Sequence, residues 1–145
     1  MNKSSTFAIS PELWQAYLET NFIVFIEPKI ILNVDNRNEP LAQFFNNHHI
    51  NSAAFITAYN PRSELLAKEV NSNRQIQLTN EIERRSLKYF KGLGQHPSQK
   101  WQGEPSLLIL DIALEAAKKL SRDYEQNAFV WCDQSCTPQL LKSFD

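Results

Sequence analysis

Ser52-Ala53-Ala54-Phe55-Ile56-Thr57-Ala58-Tyr59-Asn60-Pro61-Arg62-Ser63 is the stretch on which the fold turns. Its first seven residues are almost wholly apolar, as in a strand buried on both faces at the middle of a sheet. Pro61 has no amide proton for a ladder and ends the strand, and Ser63 with Glu64 offers oxygens to cap a helix. Working downstream, helix is expected to about Arg85, with Ala67, Asn71, Arg74, Leu78 and Ile82 spaced three or four apart on one face. A strand over 87–93 follows, then a loop over 94–103 and a strand over 104–110 antiparallel to it. Helix over 111–124, strand over 128–132 and a short terminal helix over 138–144 complete this half.

Upstream, Ser10-Pro11-Glu12 leads into Leu13, Trp14, Tyr17 and Leu18, a capped helix with an apolar stripe and an acidic first turn. Residues 22–26 and 30–34 are β-branched and aromatic runs, and Glu27-Pro28-Lys29 between them reads as a hairpin turn. Pro40 opens a short helix carrying Leu41, Phe44 and Phe45, with His48 and His49 at its C-terminus, where cations are favoured. Strand–helix–strand order recurs three times, which implies crossovers and at least partly parallel pairing. The expected fold is α/β with an α+β tendency: a single domain over 1–145, with a mixed sheet of about six strands and helices packed on it.

Composition narrows the function classes. With 145 residues, 42% hydrophobic and 21% charged, the chain has the size and balance of one globular domain. Its longest apolar runs fall far short of the ~20 residues that a membrane span requires. Residues 1–6 hold no apolar stretch of signal-peptide length, so a cytoplasmic location and no membrane partner are expected. Two cysteines, Cys132 and Cys136, do not make a disulfide framework and are expected to be free thiols. With adjacent His48 and His49, they lack metal-ligand spacing, and no metal is expected. No glycine phosphate cradle, dinucleotide fingerprint or nucleophile elbow is present, so no cofactor and no reaction are assigned.

Two features stand out. Between Arg84 and Gly103 there is no acid, while Arg84, Arg85, Lys88, Lys91 and Lys100 fall there with Tyr89, Phe90, Trp101 and all three glycines, against a net charge of −1 overall. Such a segment reads either as a solvated strand face with a flexible loop or as a surface for an anionic partner. Strand alternation places Lys88 and Lys91 on opposite faces, so nucleic-acid binding is expected to be weak at most.

The second feature is the strand–helix junction. Thr57, Tyr59, Asn60 and Arg62 lie where a buried strand emerges and a long helix begins, a common place for ligands and anions. The same residues also suit an ordinary turn bonded to local backbone. Asn71 and Arg74 interrupt an apolar stripe: either the stripe leaves the core there, or both are buried and need partners. Glu104, at the start of the strand after the glycine loop, is the natural counter-charge for Arg74. Gln126, before the last strand, either joins this polar end or ends the preceding helix.

Ile56-Thr57-Ala58-Tyr59-Asn60-Pro61, Asn71, Arg74, Trp101, Glu104-Pro105-Ser106 and Gln126-Asn127-Ala128 together resemble the bacterial family catalogued as domain of unknown function 3293. The resemblance covers roughly residues 52–131, with an echo at Ala16-Tyr17. It implies a small bacterial cytoplasmic protein and carries no activity. Glu125 stands where the family has glycine, which puts a non-glycine residue at a helix C-cap, and Tyr59 stands where tryptophan is common.

Two functions fit these residues. One is a small-ligand or nucleotide-binding domain, with Tyr59 stacking on a ring, Arg62 or Arg74 holding an anionic group, Glu104 as acid, base or acceptor, and the glycine loop as a lid. In this reading Thr57, Tyr59, Asn60, Arg62, Asn71, Arg74, Glu104 and Gln126 form the site. The other is a regulatory or interaction module docking its basic 84–101 segment on nucleic acid or an acidic protein surface. Oligomeric state is not legible.

Overall fold

A computed structural model of the chain describes residues 9–144. Helix α1 (Pro11–Glu19) starts where its capping residues direct: the Ser10 hydroxyl accepts from the Leu13 amide at 3.1 Å and Pro11 occupies the first turn. Strands β1 (Asn21–Val24) and β2 (Ile30–Leu32) form the expected antiparallel hairpin, Phe22 opposite Leu32. Helix α2 (Glu39–His48) is capped by Asn38 and closed by His49 in the left-handed region at φ 56°. Strand β3 (Ala53–Ile56), helix α3 (Lys68–Arg84), strands β4 (Tyr89–Gln95) and β5 (Glu104–Leu110), helix α4 (Leu114–Asp123) and strands β6 (Ala128–Cys132) and β7 (Gln139–Lys142) follow.

The seven strands make one sheet in the order β2-β1-β4-β5-β3-β6-β7, and every neighbouring pair is antiparallel. The α+β tendency is therefore the correct class, and the mixed sheet of six strands is corrected to seven antiparallel ones. The crossovers are real: β3–α3–β4 and β5–α4–β6 each join strands running the same way. Each crossover skips one position, however, and an antiparallel strand fills it, β5 between β4 and β3 and β3 between β5 and β6. That interleaving is the double split βαβ of ferredoxin-like topology, with β1–β2 added at one edge and β7 at the other.

Burial explains why β3 reads as continuously apolar. Ala54, Ile56, Leu107, Ile109, Phe129 and Trp131 face α3 and α4, meeting Leu78, Ile82, Ala117 and Leu120. Ala53, Phe55, Leu108, Leu110, Val130 and Cys132 face the other way, onto Leu41 and Phe45 of α2 and onto Phe22, Val24 and Leu32. The sheet curls around this second core until its edges meet. The Asp35 amide donates to the Pro138 carbonyl (2.8 Å) and the Asn38 amide to the Cys136 carbonyl (2.9 Å).

Three local expectations are corrected. The terminal helix is strand β7: seven residues make a marginal helix, whereas as a strand they place Leu140 opposite Val130 and Leu141 opposite Phe129. The glycine loop is shorter than expected, because β4 runs on through Gly94 to Gln95, while Gly92 lies inside the strand as expected. Gly92 is a close-approach position, where a Cβ would come within 2.5 Å of the Ile23 carbonyl oxygen and 2.7 Å of the Phe55 ring. Finally, Ser63 caps no helix. Pro61–Ser63 is a lone 3₁₀ turn, and α3 begins at Lys68 after an extended Ala67. No described helix is long and apolar enough to cross a membrane.

Candidate functional site

The segment leaving β3 is built around polar side chains reaching in from other elements. Thr57 Oγ1 donates to the Pro105 carbonyl of β5 (2.7 Å) and accepts the Tyr59 amide (3.0 Å). The Asn60 amide donates to Asn71 Oδ1 on α3 (2.8 Å), and Asn71 Nδ2 donates back to Asn60 Oδ1 (2.7 Å). Asn60 Oδ1 also accepts the Leu66 amide, and its Nδ2 donates to Glu104 Oε2 at 2.8 Å. From the entrance to β6, Gln126 Nε2 donates to the carbonyls of Tyr59 (3.0 Å) and Tyr124 (3.2 Å).

This scaffold holds a strained turn. Asn60, Arg62 and Ser63 all have positive φ, at 46°, 53° and 63°. Each non-glycine residue there costs about 1 kcal/mol, asparagine least. Arg62 is further fixed by its backbone N–H, which donates to the Glu125 carbonyl (2.7 Å), and Glu125 is itself left-handed at φ 58°, the geometry that favours glycine at a helix end.

Arg74 is at this end of the sheet but does not pair with Glu104. Its Nε donates to the Ala58 carbonyl (2.8 Å) and Nη2 to the Tyr124 carbonyl (2.6 Å), while Nη1 lies 3.6 Å from Glu125 Oε1. The guanidinium fork bridges the segment just past β3 and the end of α4. Glu104 keeps Asn60 as its partner. Burial raises its proton affinity above the ordinary 4.5, with the Asn60 hydrogen bond pulling the other way.

Thr57, Asn60, Asn71, Arg74, Glu104 and Gln126 thus converge on residues 57–60, Glu104 through the Asn60 side chain and the others largely through backbone. The rings and charges of Tyr59 and Arg62 ride on that backbone, both half-buried. Gln75 is a member that sequence reasoning missed: its Oε1 accepts the Ala58 amide at 3.0 Å. So is Tyr17 on α1, whose hydroxyl lies 2.9 Å from Ser63 Oγ and accepts from Asn127 Nδ2 at 3.3 Å. Tyr17 and Asn127 stood within the family motif, but no spacing marked them as neighbours of Ser63. Two clefts of about 500 and 480 Å³ lie elsewhere. One runs between α2 and β4, at Phe44, His48, Lys88 and Phe90; the other between α1 and the β4–β5 loop, at Glu12, Glu19, His96 and Trp101. No group of three or more potential metal ligands gathers among the described residues.

A split-βαβ α+β domain with a polar, strained turn at one end of its sheet is the class that these features define. The chain belongs to the family described as Protein of unknown function (DUF3293), whose model matches residues 56–129. The match spans the split unit almost from β3 to β6, and the side chains that bond residues 57–60 fall inside it, whereas Tyr17 lies outside. No curated protein and no solved structure matches the chain.

Proposed function

We propose that the chain is a small-ligand-binding domain whose site is the strained turn and the Glu104 carboxyl beside it. The observation that carries this reading is the Asn60–Glu104 contact at 2.8 Å, held by a turn with three left-handed non-glycine residues. Strain of this kind persists where surrounding bonds over-determine it, and it collects at functional sites. Thr57, Arg74 and Gln126 bond backbone, Asn71 bonds backbone and the Asn60 side chain, and these four serve as the scaffold. Tyr59, Arg62 and Glu104 are the groups that face a ligand, which fits a planar heteroaromatic compound carrying an anionic group, such as a nucleotide. Tyr59 stacks on the ring, Arg62 supplies positive charge, and a carboxyl that retains its proton more readily than usual can donate or accept at the ring edge.

A thermal-shift panel of nucleosides, nucleotides and aromatic carboxylates tests this. A ligand at a hundred times its Kd adds about 2.7 kcal/mol of stability, several degrees for a chain of this size. That shift disappears in Tyr59→Ala and Glu104→Gln if the site is correct. A panel without a hit, or equal shifts in both variants, overturns the reading.

Docking of the basic 84–101 segment has less support. Arg85 is bonded to Glu81 at 2.6 Å, the Tyr89 hydroxyl donates to Glu83, and Lys88 and Lys91 alternate to opposite faces of the sheet. Weak, salt-sensitive association with nucleic acid is the most this charge pattern supports.

A further inference from the structure

The cleft of about 480 Å³ between α1 and the β4–β5 loop carries a second constellation, independent of the Tyr59–Glu104 site. On α1, Glu12, Gln15, Ala16 and Glu19 recur at helical spacing and form one wall. The loop contributes His96, Ser98, Lys100 and Trp101 as the other. Across the cleft Glu19 Oε1 lies 3.0 Å from His96 Nε2, and His96 Nδ1 lies 2.8 Å from Ser98 Oγ.

The proton positions follow from one bond. The Ser98 backbone amide, which can only donate, points at His96 Nδ1 at 3.1 Å, so that nitrogen carries a lone pair. The imidazole proton is then on Nε2, directed at Glu19, and the Ser98 hydroxyl shares the Nδ1 lone pair with the Ser98 amide. Hydrogen bonds from Gln15, first, and from His96 keep Glu19 below its ordinary 4.5, so it is ionised at neutral pH. Acid, imidazole and hydroxyl stand in the order that activates a serine. Gln99, next to the hydroxyl, is left-handed at φ 58°, and this turn brings the Lys100 amide to within 3.2 Å of Ser98 Oγ. Trp101 lines the cleft edge-on to the His96 ring, centroids 4.7 Å apart, and is about half exposed.

We propose that Ser98 is an acyl-accepting nucleophile activated by His96 and Glu19, acting on small esters whose apolar part lies against Trp101. Ser98 Oγ attacks the ester carbonyl carbon and its proton passes to His96 Nδ1. The imidazolium is held by the Glu19 carboxylate, and Lys100 adds a positive charge to the lining of the same cleft. Collapse breaks the carbon–oxygen bond to the alcohol, which leaves with the proton from Nδ1. Water then attacks the acyl-serine, delivering its proton by the same nitrogen, and releases the carboxylic acid and the free hydroxyl.

The full chain is treated with a fluorophosphonate probe and digested for mass spectrometry, and hydrolysis of p-nitrophenyl acetate and butyrate is followed in parallel. Labelling at Ser98 is expected in the native protein and absent after heat denaturation. Hydrolysis is expected to fall at least 100-fold in both Ser98→Ala and His96→Gln, and the KM for butyrate to rise in Trp101→Ala with kcat retained. Ser98 and Trp101 are exposed and His96 is partly buried beside them, and circular dichroism verifies that each variant is folded. Folded wild-type protein that leaves Ser98 unlabelled, or a Ser98→Ala variant that hydrolyses esters like wild type, overturns the proposal and leaves the three residues as a turn-stabilising hydrogen-bond chain.

Discussion

At the scale of single residues, the polar end of the sheet is governed by which groups are already committed. Arg74 satisfies two carbonyls, Ala58 and Tyr124, with separate nitrogens of one rigid fork. A lysine has a single ammonium at a different reach. Arg74→Lys is expected to lose about 1–3 kcal/mol, the cost of a buried acceptor without a donor, read as a lower urea midpoint at unchanged m. Glu104 has the opposite character. Because burial raises its proton affinity, the folded state keeps a proton that the unfolded chain has released, so its contribution to stability falls as pH rises from the ordinary 4.5 through the raised folded value. Glu104→Gln preserves an acceptor for Asn60 without titrating. Its urea midpoint should equal that of wild type below this window and exceed it above, and a pH-independent difference would remove Glu104 as the source. Asn71 and Arg74 were legible in sequence because they break an apolar stripe. Their partners were not: pairing Arg74 with Glu104 needed to know that the guanidinium leans toward α4, which side-chain spacing along α3 does not encode.

Among whole elements, periodicity located nearly everything and misjudged the pairing. The β3 run was recognisable as doubly buried because both cores draw on it alternately. The same pattern cannot say whether a crossover lands beside its parent strand or one place further, and that choice turned a mixed sheet into an antiparallel one. Strand β7 was misread because Pro138 with a short apolar run suits a helix start as well as an edge strand. Gly94 was taken for loop although it lies in β4, and Gly92, placed in the strand, answers a crowding between strands that the sequence does not mark. Gly92→Ala places a methyl within 2.5 Å of the Ile23 oxygen and against the Phe55 ring, and neither backbone nor a packed ring yields cheaply. We expect a loss of about 1–3 kcal/mol in thermal or urea unfolding. Gly94→Ala, whose added carbon would stay at least 3.7 Å from its neighbours, serves as the mild comparison.

For the molecule as a whole, the second core seals both thiols. Cys132 is pushed up to about 12, chiefly by burial, and burial likewise raises Cys136. Since the thiolate is the reactive form, a disulfide reagent should find two thiols per chain in denaturant without reductant. Against the native protein it should react on the order of 10³ times more slowly, because it must wait for opening. A count of zero in denaturant would mean the pair is oxidised. The bonds from Asp35 to Pro138 and from Asn38 to Cys136 cover that core like a clasp, and they join residues about a hundred apart in the chain, so closing them removes much loop freedom for little enthalpy. The clasp is therefore the natural last step of folding and the first to let go. In native-state hydrogen exchange the Asp35 and Asn38 amides should trade their protons for deuterium well ahead of those in β3 and β5, a seam that opens while the rest of the garment stays fastened.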